Sequence, residues 1–282
     1  MDYVELNIPI ESEEQGEILI AELADYPFES FECEGNTLLK GYIPQMKLVD
    51  CKAAVDALLL RYGVEGARYI SIESKNWNAV WESNFDRVEV GERLLIRAPF
   101  HEADPRFERE VVIMPKMSFG TGHHATTHLM AEWTMDLGAQ GRLKGARGLD
   151  MGSGTGVLAI VAAFEGAEAM DAVDIDEWAD ENCRENIAKN GVEGVVAPIL
   201  GDMSKVADRH YSFILANINR NILLNDMARY ASSLDEGGVL LMSGFLEQDV
   251  EILQSKAREL GLTPVDHRVR GGWVAMRVDK LV

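Results

Sequence analysis

Cysteine is scarce in this 282-residue chain, where Cys33, Cys51 and Cys183 lie far apart and form no CxxC pair. An odd count without paired spacing excludes a disulfide framework and a zinc knuckle, and it fits a reducing compartment. Proline is also sparse, at 8 residues, and 26% of residues are charged, a balance that excludes a mainly disordered chain. No apolar run reaches the ~18 residues a membrane helix requires. The opening MDYVELN is acidic where a secretion signal carries a basic region and then an apolar stretch. These absences predict a soluble, cytoplasmic protein.

Positive charge is the other shortage. Lys and Arg number 27 against 47 Asp and Glu, for a formal charge of -20. So negative a surface repels phosphate backbones, which argues against nucleic acid and for a basic partner. The same charge also serves solubility. Apolar side chains are plentiful at 47%, enough for one or two packed domains.

The first 74 residues read as short alternating elements: strand at 3–10, helix at 14–26, strands at 28–33 and 37–43, helix at 48–61, strand at 67–73. Gly35-Asn36 supplies the turn of a hairpin. The order βαββαβ predicts a small ferredoxin-like α+β domain, and 14 acids against 5 bases over residues 1–72 make it acidic by itself. Residues 75–117 read as a structured connector, with Trp77 and Trp81 as a packing anchor and strands at 93–98 and 110–114. From 118 to 282, strands at 148–151, 170–174, 195–200, 213–217 and 239–243 alternate with helices. That pattern predicts an α/β domain with a doubly wound, mostly parallel sheet. The closing strands, 263–269 and 273–278, are too close for a crossover and predict an antiparallel edge hairpin.

Asp150-Met151-Gly152-Ser153-Gly154-Thr155-Gly156 closes a strand and opens a helix. Glycines there let the backbone approach a ligand, and the helix N-terminus offers free N–H groups. A dinucleotide loop is spaced G-x-G-x-x-G, whereas Val157 fills the sixth place here. Asp150 would repel a pyrophosphate and attract an ammonium group. Both features favour the amino-acid end of S-adenosylmethionine over NAD. Eighteen residues after Gly156, Asp174 can accept from two ribose hydroxyls, and Ile175 offers an apolar face to adenine. Asp202 can accept from the adenine amino group or hold a turn, and Asp176 reads first as a helix N-cap. All fall at strand C-termini, where open α/β sheets bind ligands.

On these residues the region 118–282 resembles the class I S-adenosylmethionine-dependent methyltransferases. Phe119-Gly120-Thr121-Gly122-His123-His124-Ala125-Thr126-Thr127 further resembles the F-G-T-G-T-H-P-T-T segment of the bacterial methyltransferases of large-subunit ribosomal protein eleven. Ala216-Asn217-Ile218 is similar to the A-N-I stretch of the same family. The resemblance covers essentially the whole chain and implies a substrate-recognition role for residues 1–74. It implies methyl transfer to lysine and N-terminal amines of that basic protein, with cofactor contacts at Thr127, Gly152, Asp174 and Asn217. The chain departs from the pattern at Met114-Pro115-Lys116, His123, Ala125, Ser153, Asn219 and Arg220.

Transfer to an amine needs the nucleophile, methyl and sulfur held in line, and needs neither metal nor covalent intermediate. Asn217 is the expected catalytic residue, its carbonyl accepting from the amine; tying the loop or the cofactor is the competing role. Thr121 and Thr127, with Gly120 and Gly122, are expected to form a loop over the methionine portion, and Phe119, Gly152 and Gly154 are expected among the cofactor contacts. His124 and His128 have the i,i+4 spacing of zinc ligands but lack the glutamate of a zincin helix, so no metal is expected. Trp273 reads as core. The competing functions are nucleobase methylation, an NAD-dependent oxidoreductase, and a non-enzymatic S-adenosylmethionine sensor. Nucleobase methylation usually places two prolines and an aromatic after the asparagine, where Ile218-Asn219 stands.

Overall fold

A computed structural model describes residues 3–72, 85–116 and 119–282, and the chain divides into two compact units, Met1–Asn84 and Phe85–Val282. Trp77 and Trp81 lie outside the described residues. In the first unit, β1 (Tyr3–Pro9) leads into α1 (Glu13–Leu23), whose N-terminus is capped by the Ser12 hydroxyl accepting from Gln15 N. The hairpin β2 (Ser30–Glu34) and β3 (Leu38–Pro44) follows, then α2 (Gln45–Arg61) and β4 (Arg68–Ile72). The sheet runs β2-β3-β1-β4, all antiparallel. Alternate residues of β1 (Val4, Leu6, Ile8) point inward, and Leu6 and Ile8 meet Leu19, Leu23, Val55 and Leu59 of the two helices. The βαββαβ order and this strand order are those of a ferredoxin-like sandwich.

The second unit begins with β5 (Val88–Val90), β6 (Leu94–Arg97) and β7 (Arg109–Val112), which form a three-stranded sheet. Residues 85–116 therefore fold with the large unit and are not a separate connector as expected. The reason is packing: Val90, Leu94, Ile96, Val111 and Ile113 are buried in the core of the large unit. The expected strands at 93–98 and 110–114 are β6 and β7, whereas β5, at three residues, is too short to show a period and was not expected.

Next come α3 (Ala125–Ala139), β8 (Arg147–Met151), α4 (Val157–Phe164), β9 (Ala169–Asp174), α5 (Glu177–Lys189) and β10 (Val196–Leu200). After these follow β11 (Tyr211–Asn217), α6 (Arg220–Ser233), β12 (Leu234–Leu246), α7 (Val250–Glu259), β13 (Leu262–Arg270) and β14 (Trp273–Lys280). The seven-stranded sheet runs β10-β9-β8-β11-β12-β14-β13. Pairs from β10 to β12 are parallel, whereas β14 is antiparallel to both β12 and β13. The closing hairpin turns on Gly271 and Gly272, both at positive φ (57° and 81°), as a two-residue hairpin turn demands.

Apolar residues of α3, α4 and α5 cover one face of this sheet, and those of α6 and α7 cover the other. Such two-sided burial explains the near-continuous apolar run Phe213–Ala216 of β11. Helix α5 also covers the open edge of β7. Asn190 accepts from Val112 N (2.8 Å) and donates to Val112 O (2.7 Å), while Asn186 Oδ1 accepts from Met114 N (2.8 Å).

Candidate active site

Strand order reverses between β8 and β11, whose C-terminal ends diverge toward helices on opposite faces. A cleft must open there in an open α/β sheet. It is a cavity of about 530 Å³, lined at its base by Met151, Gly152 and Gly154 and at its sides by Phe119, Asp174 and Asn217. Ile175, Asp176, Trp178, Ala179, Asp202, Ile218, Ile222 and Asp226 complete the wall. Among the described residues, four aspartates and no lysine or arginine line it. That potential repels a pyrophosphate and suits a cation.

The glycine loop turns through three left-handed residues, Gly152, Gly154 and Gly156. At two of them space matters as much as φ. A Cβ on Gly152 would strike the Ile218 side chain, and one on Gly154 would strike the Phe119 carbonyl oxygen. Asp174, ending β9, accepts from Gly154 N (2.8 Å) and Asp176 N (3.1 Å), one bond on each oxygen. Each oxygen keeps a lone pair for a further donor. Asp176 caps α5, accepting from Trp178 N and Ala179 N. Asp202 accepts from Ser204 N and the Ser204 hydroxyl, which hold its carboxyl below the usual range. Ile175 and Trp178 are 73% and 77% exposed, two apolar side chains left uncovered on the cavity rim.

Asn217 ends β11. Its Nδ2 donates weakly to Thr127 Oγ1 (3.4 Å), while its Oδ1 is buried without a partner among the described residues. A buried amide oxygen left unpaired costs free energy until a donor arrives. Thr127 itself is fully buried in the first turn of α3 and reaches the cavity only through Asn217. Behind Asn217, Ile218 N donates to Ser243 O (3.1 Å), beside a bulge between Ser243 and Phe245 of β12. Gly244 in that bulge has φ +100°, and a Cβ there would collide with the Ile218 carbonyl. Asn219 caps α6, and Arg220 pairs with Asp249 (2.7 Å), so these two departures from the family pattern secure the helix start.

The remaining expected residues divide. Phe119 reaches the cavity, whereas Gly120 and Thr121 continue the segment away from its wall. Gly122, at φ +94°, packs against Ile96 and Val88, so the small sheet supports this segment. Asp150 does not line the cavity. It turns beneath the loop, its Oδ2 accepting from Ala159 N (3.1 Å) in α4 and its Oδ1 unpartnered. Burial, reinforced by the charge of Asp174, pushes this carboxyl up to about 7. His124 caps α3 through Thr126 N, and His128 Nε2 accepts from Arg270 (3.1 Å), which with burial lowers its pKa. Trp273 is not core as expected. It is partly exposed, its ring 4.7 Å from that of His124, which in turn lies 5.3 Å from Phe119. Reading from sequence missed Trp178, Ile222 and Asp226, whose only signal is their place in the first two turns of the helices after β9 and β11.

A buried amide oxygen awaiting a donor, a glycine cradle, an acid with two free lone pairs and an apolar rim suit S-adenosylmethionine in charge and shape. Comparison with known proteins agrees. Residues 9–281 match the family described as ribosomal protein L11 methyltransferase (PrmA). The chain is 45% identical over 267 residues to the ribosomal protein L11 methyltransferase of Porphyromonas gingivalis, covering 93% of this chain and 89% of that one. It is 37% identical over 286 residues to that of Phocaeicola vulgatus, covering 98% and 99%. The crystal structure of ribosomal protein L11 methylase from Lactobacillus delbrueckii subsp. bulgaricus has the same fold. It superposes with a TM-score of 0.62 at 23% identity, over 70% of this chain and 100% of that one. On both the match and the identities, the chain belongs to the ribosomal protein L11 methyltransferase family.

Proposed function

We propose that this protein transfers methyl groups from S-adenosylmethionine to lysine side-chain and N-terminal amines of ribosomal protein L11, with Asn217 as the catalytic residue. The observation that carries the site assignment is the buried, unpaired Oδ1 of Asn217 on the cavity wall. Bound in the cavity, S-adenosylmethionine supplies an electrophilic methyl on a sulfonium sulfur. Asp174 orients the ribose, Ile175 and Trp178 cover adenine, Asp202 takes its amino group, and the loop at Gly152 and Gly154 holds the methionine end. Asp150 serves from below, as the support of that loop.

The amine must arrive neutral. For a lysine at pH 7 that costs about 4–5 kcal/mol, against about 1 kcal/mol for an N-terminal amine. Asn217 Oδ1 accepts one N–H and so turns the nitrogen lone pair toward the methyl; the nitrogen–carbon bond forms as the carbon–sulfur bond breaks. The released proton passes to water. The first unit, which carries its own acidic surplus, recruits the basic substrate, and the reaction takes place in the cytoplasm. Among the described residues no helix is long and apolar enough to cross a membrane.

The test is the intact mass of unmethylated ribosomal protein L11 after incubation with S-adenosylmethionine and the wild type, Asp174→Ala or Asn217→Ala. Methyl additions with the wild type are expected, lost with Asp174→Ala through cofactor affinity. Asn217→Ala is expected to slow transfer by ten-fold or more, on the order of an oxyanion-type contact, with cofactor affinity nearly kept. A loss confined to cofactor affinity defeats the catalytic role. Cofactor binding without any methyl addition would make the protein a sensor.

A further inference from the structure

Two segments distant in sequence must meet for this cavity to exist: the glycine loop and the stretch beginning at Phe119. Their junction is a single residue. Thr155 is fully buried and does not line the cavity, yet all of its polar groups are engaged. Its N–H donates to Phe119 O (3.0 Å), and its hydroxyl donates to Gly120 O (2.7 Å). Its carbonyl accepts from Asn186 Nδ2 (2.9 Å), and the same Asn186 side chain accepts from Met114 N (2.8 Å). Asn186 is itself fully buried in α5.

The contact is close on both sides. A Cβ at Gly154 would strike Phe119 O, and one at Gly120 would lie 2.7 Å from the Thr155 hydroxyl oxygen. Gly120 also holds φ +107°, a conformation in which its carbonyl turns down onto Thr155. Only the hydroxyl bond depends on the identity of the side chain; the other two are made by backbone and survive substitution.

We propose that Thr155 is a positioning residue for the cofactor site: its hydroxyl pins the Phe119–Gly120 backbone to the glycine loop and thereby sets Phe119 at the cavity wall. Without it, Gly120 O loses its donor in a part-buried place, and the Phe119–Gly120 segment is left on the single backbone bond from Thr155 N to Phe119 O, free to pivot about it. The effect falls on cofactor affinity, because Asn217 and its strand end are anchored separately by Ser243. This inference rests on the reading that the cavity takes S-adenosylmethionine.

The test compares Thr155→Val, which keeps the shape without the hydroxyl, with Thr155→Ser, which keeps the hydroxyl. S-adenosylmethionine binding is measured by calorimetry, transfer to ribosomal protein L11 by kinetics, and unfolding by thermal melt. The expected result is about five- to fifty-fold weaker binding for Thr155→Val, the loss of a hydrogen bond with one partner left unpaired. Its KM for the cofactor should rise with kcat at saturation close to wild type, and the unpaired Gly120 carbonyl should lower the melting temperature by a few degrees. Thr155→Ser should bind like the wild type. Unchanged affinity in Thr155→Val overturns the proposal, as does equal weakening in Thr155→Ser, which would assign the effect to the methyl group. A lowered melting point with unchanged affinity would mark Thr155 as structural only. If the wild type itself bound no S-adenosylmethionine, the reading of the cavity would fail instead.

Discussion

Replacing Asp150 by asparagine should change how stability depends on pH, and the size of the change follows from where its carboxyl sits. Asp150 is 1% exposed, with one oxygen bonded to Ala159 N and the other unpartnered. Burial raises its pKa to about 7, against about 3.9 in an unfolded chain. The folded protein thus holds this proton more tightly than the unfolded one. Stability from this group is full below about pH 4 and is lost as pH rises through about 7. Between pH 5.5 and 8 the loss comes to about 2 kcal/mol, at about 1.4 kcal/mol per pH unit until the folded carboxyl ionises. Asparagine cannot ionise and keeps an oxygen for Ala159. Urea unfolding of both proteins without cofactor, followed by circular dichroism at the two pH values, isolates the effect, since every other group titrates in both. Asp150→Asn should gain on the wild type by about 2 kcal/mol more at pH 8 than at pH 5.5. A gap of equal size at both pH values would refute the reasoning.

Two further outcomes are expected. Gly244→Ala should push the Ile218 carbonyl, and Asn217 with it, out of place; a shift of about 1 Å at a reacting group can cost on the order of 100-fold in rate. Steady-state kinetics at saturating cofactor checks this, and a wild-type kcat would sink it. Asp171→Ala should cost about 2–4 kcal/mol in urea unfolding, because it strands the buried Tyr211 hydroxyl (2.7 Å) and the Arg209 guanidinium (2.7 Å). Calorimetric binding of S-adenosylmethionine should be unchanged in that variant, since Asp171 lies three residues before the cavity end of β9.

The alternation of strands and helices was legible because β11 and β12 are buried on both faces and so carry apolar runs. The hairpin at Gly271-Gly272 was legible because its two strands are too close together for a crossover. Which strand ends carry ligand groups could also be read: Asp174 and Asn217 are the last residues of their strands, and the last residue overlooks the cleft. Asp150 shows the limit of that reasoning. It stands one residue before the end of β8, and alternate residues of a strand face opposite layers, so it turns to α4 while the loop beyond it faces the cavity. Spacing along the chain does not report that half-turn. Nor does it report exposure, which is why nothing in the sequence singled out Trp178. The strand Val88–Val90 escaped because three residues carry no period; it becomes visible only through its partner Leu94–Arg97.

The amide side chains of α5 along β7 bear on the solution behaviour of the protein. The outer strand of a small sheet presents unpaired backbone groups that can recruit a strand from another molecule. Here Asn190 meets both backbone groups of Val112 and Asn186 meets the N–H of Met114, so a helix stands in for the missing neighbour. The protection is chemical and spatial at once: the donors and acceptors are used, and the helix occupies the space an incoming chain would take. The strand's own Arg109 and Glu110 add charge along the same edge, a second deterrent to an incoming strand. The same two asparagines that shape the folded molecule also keep one copy from templating another.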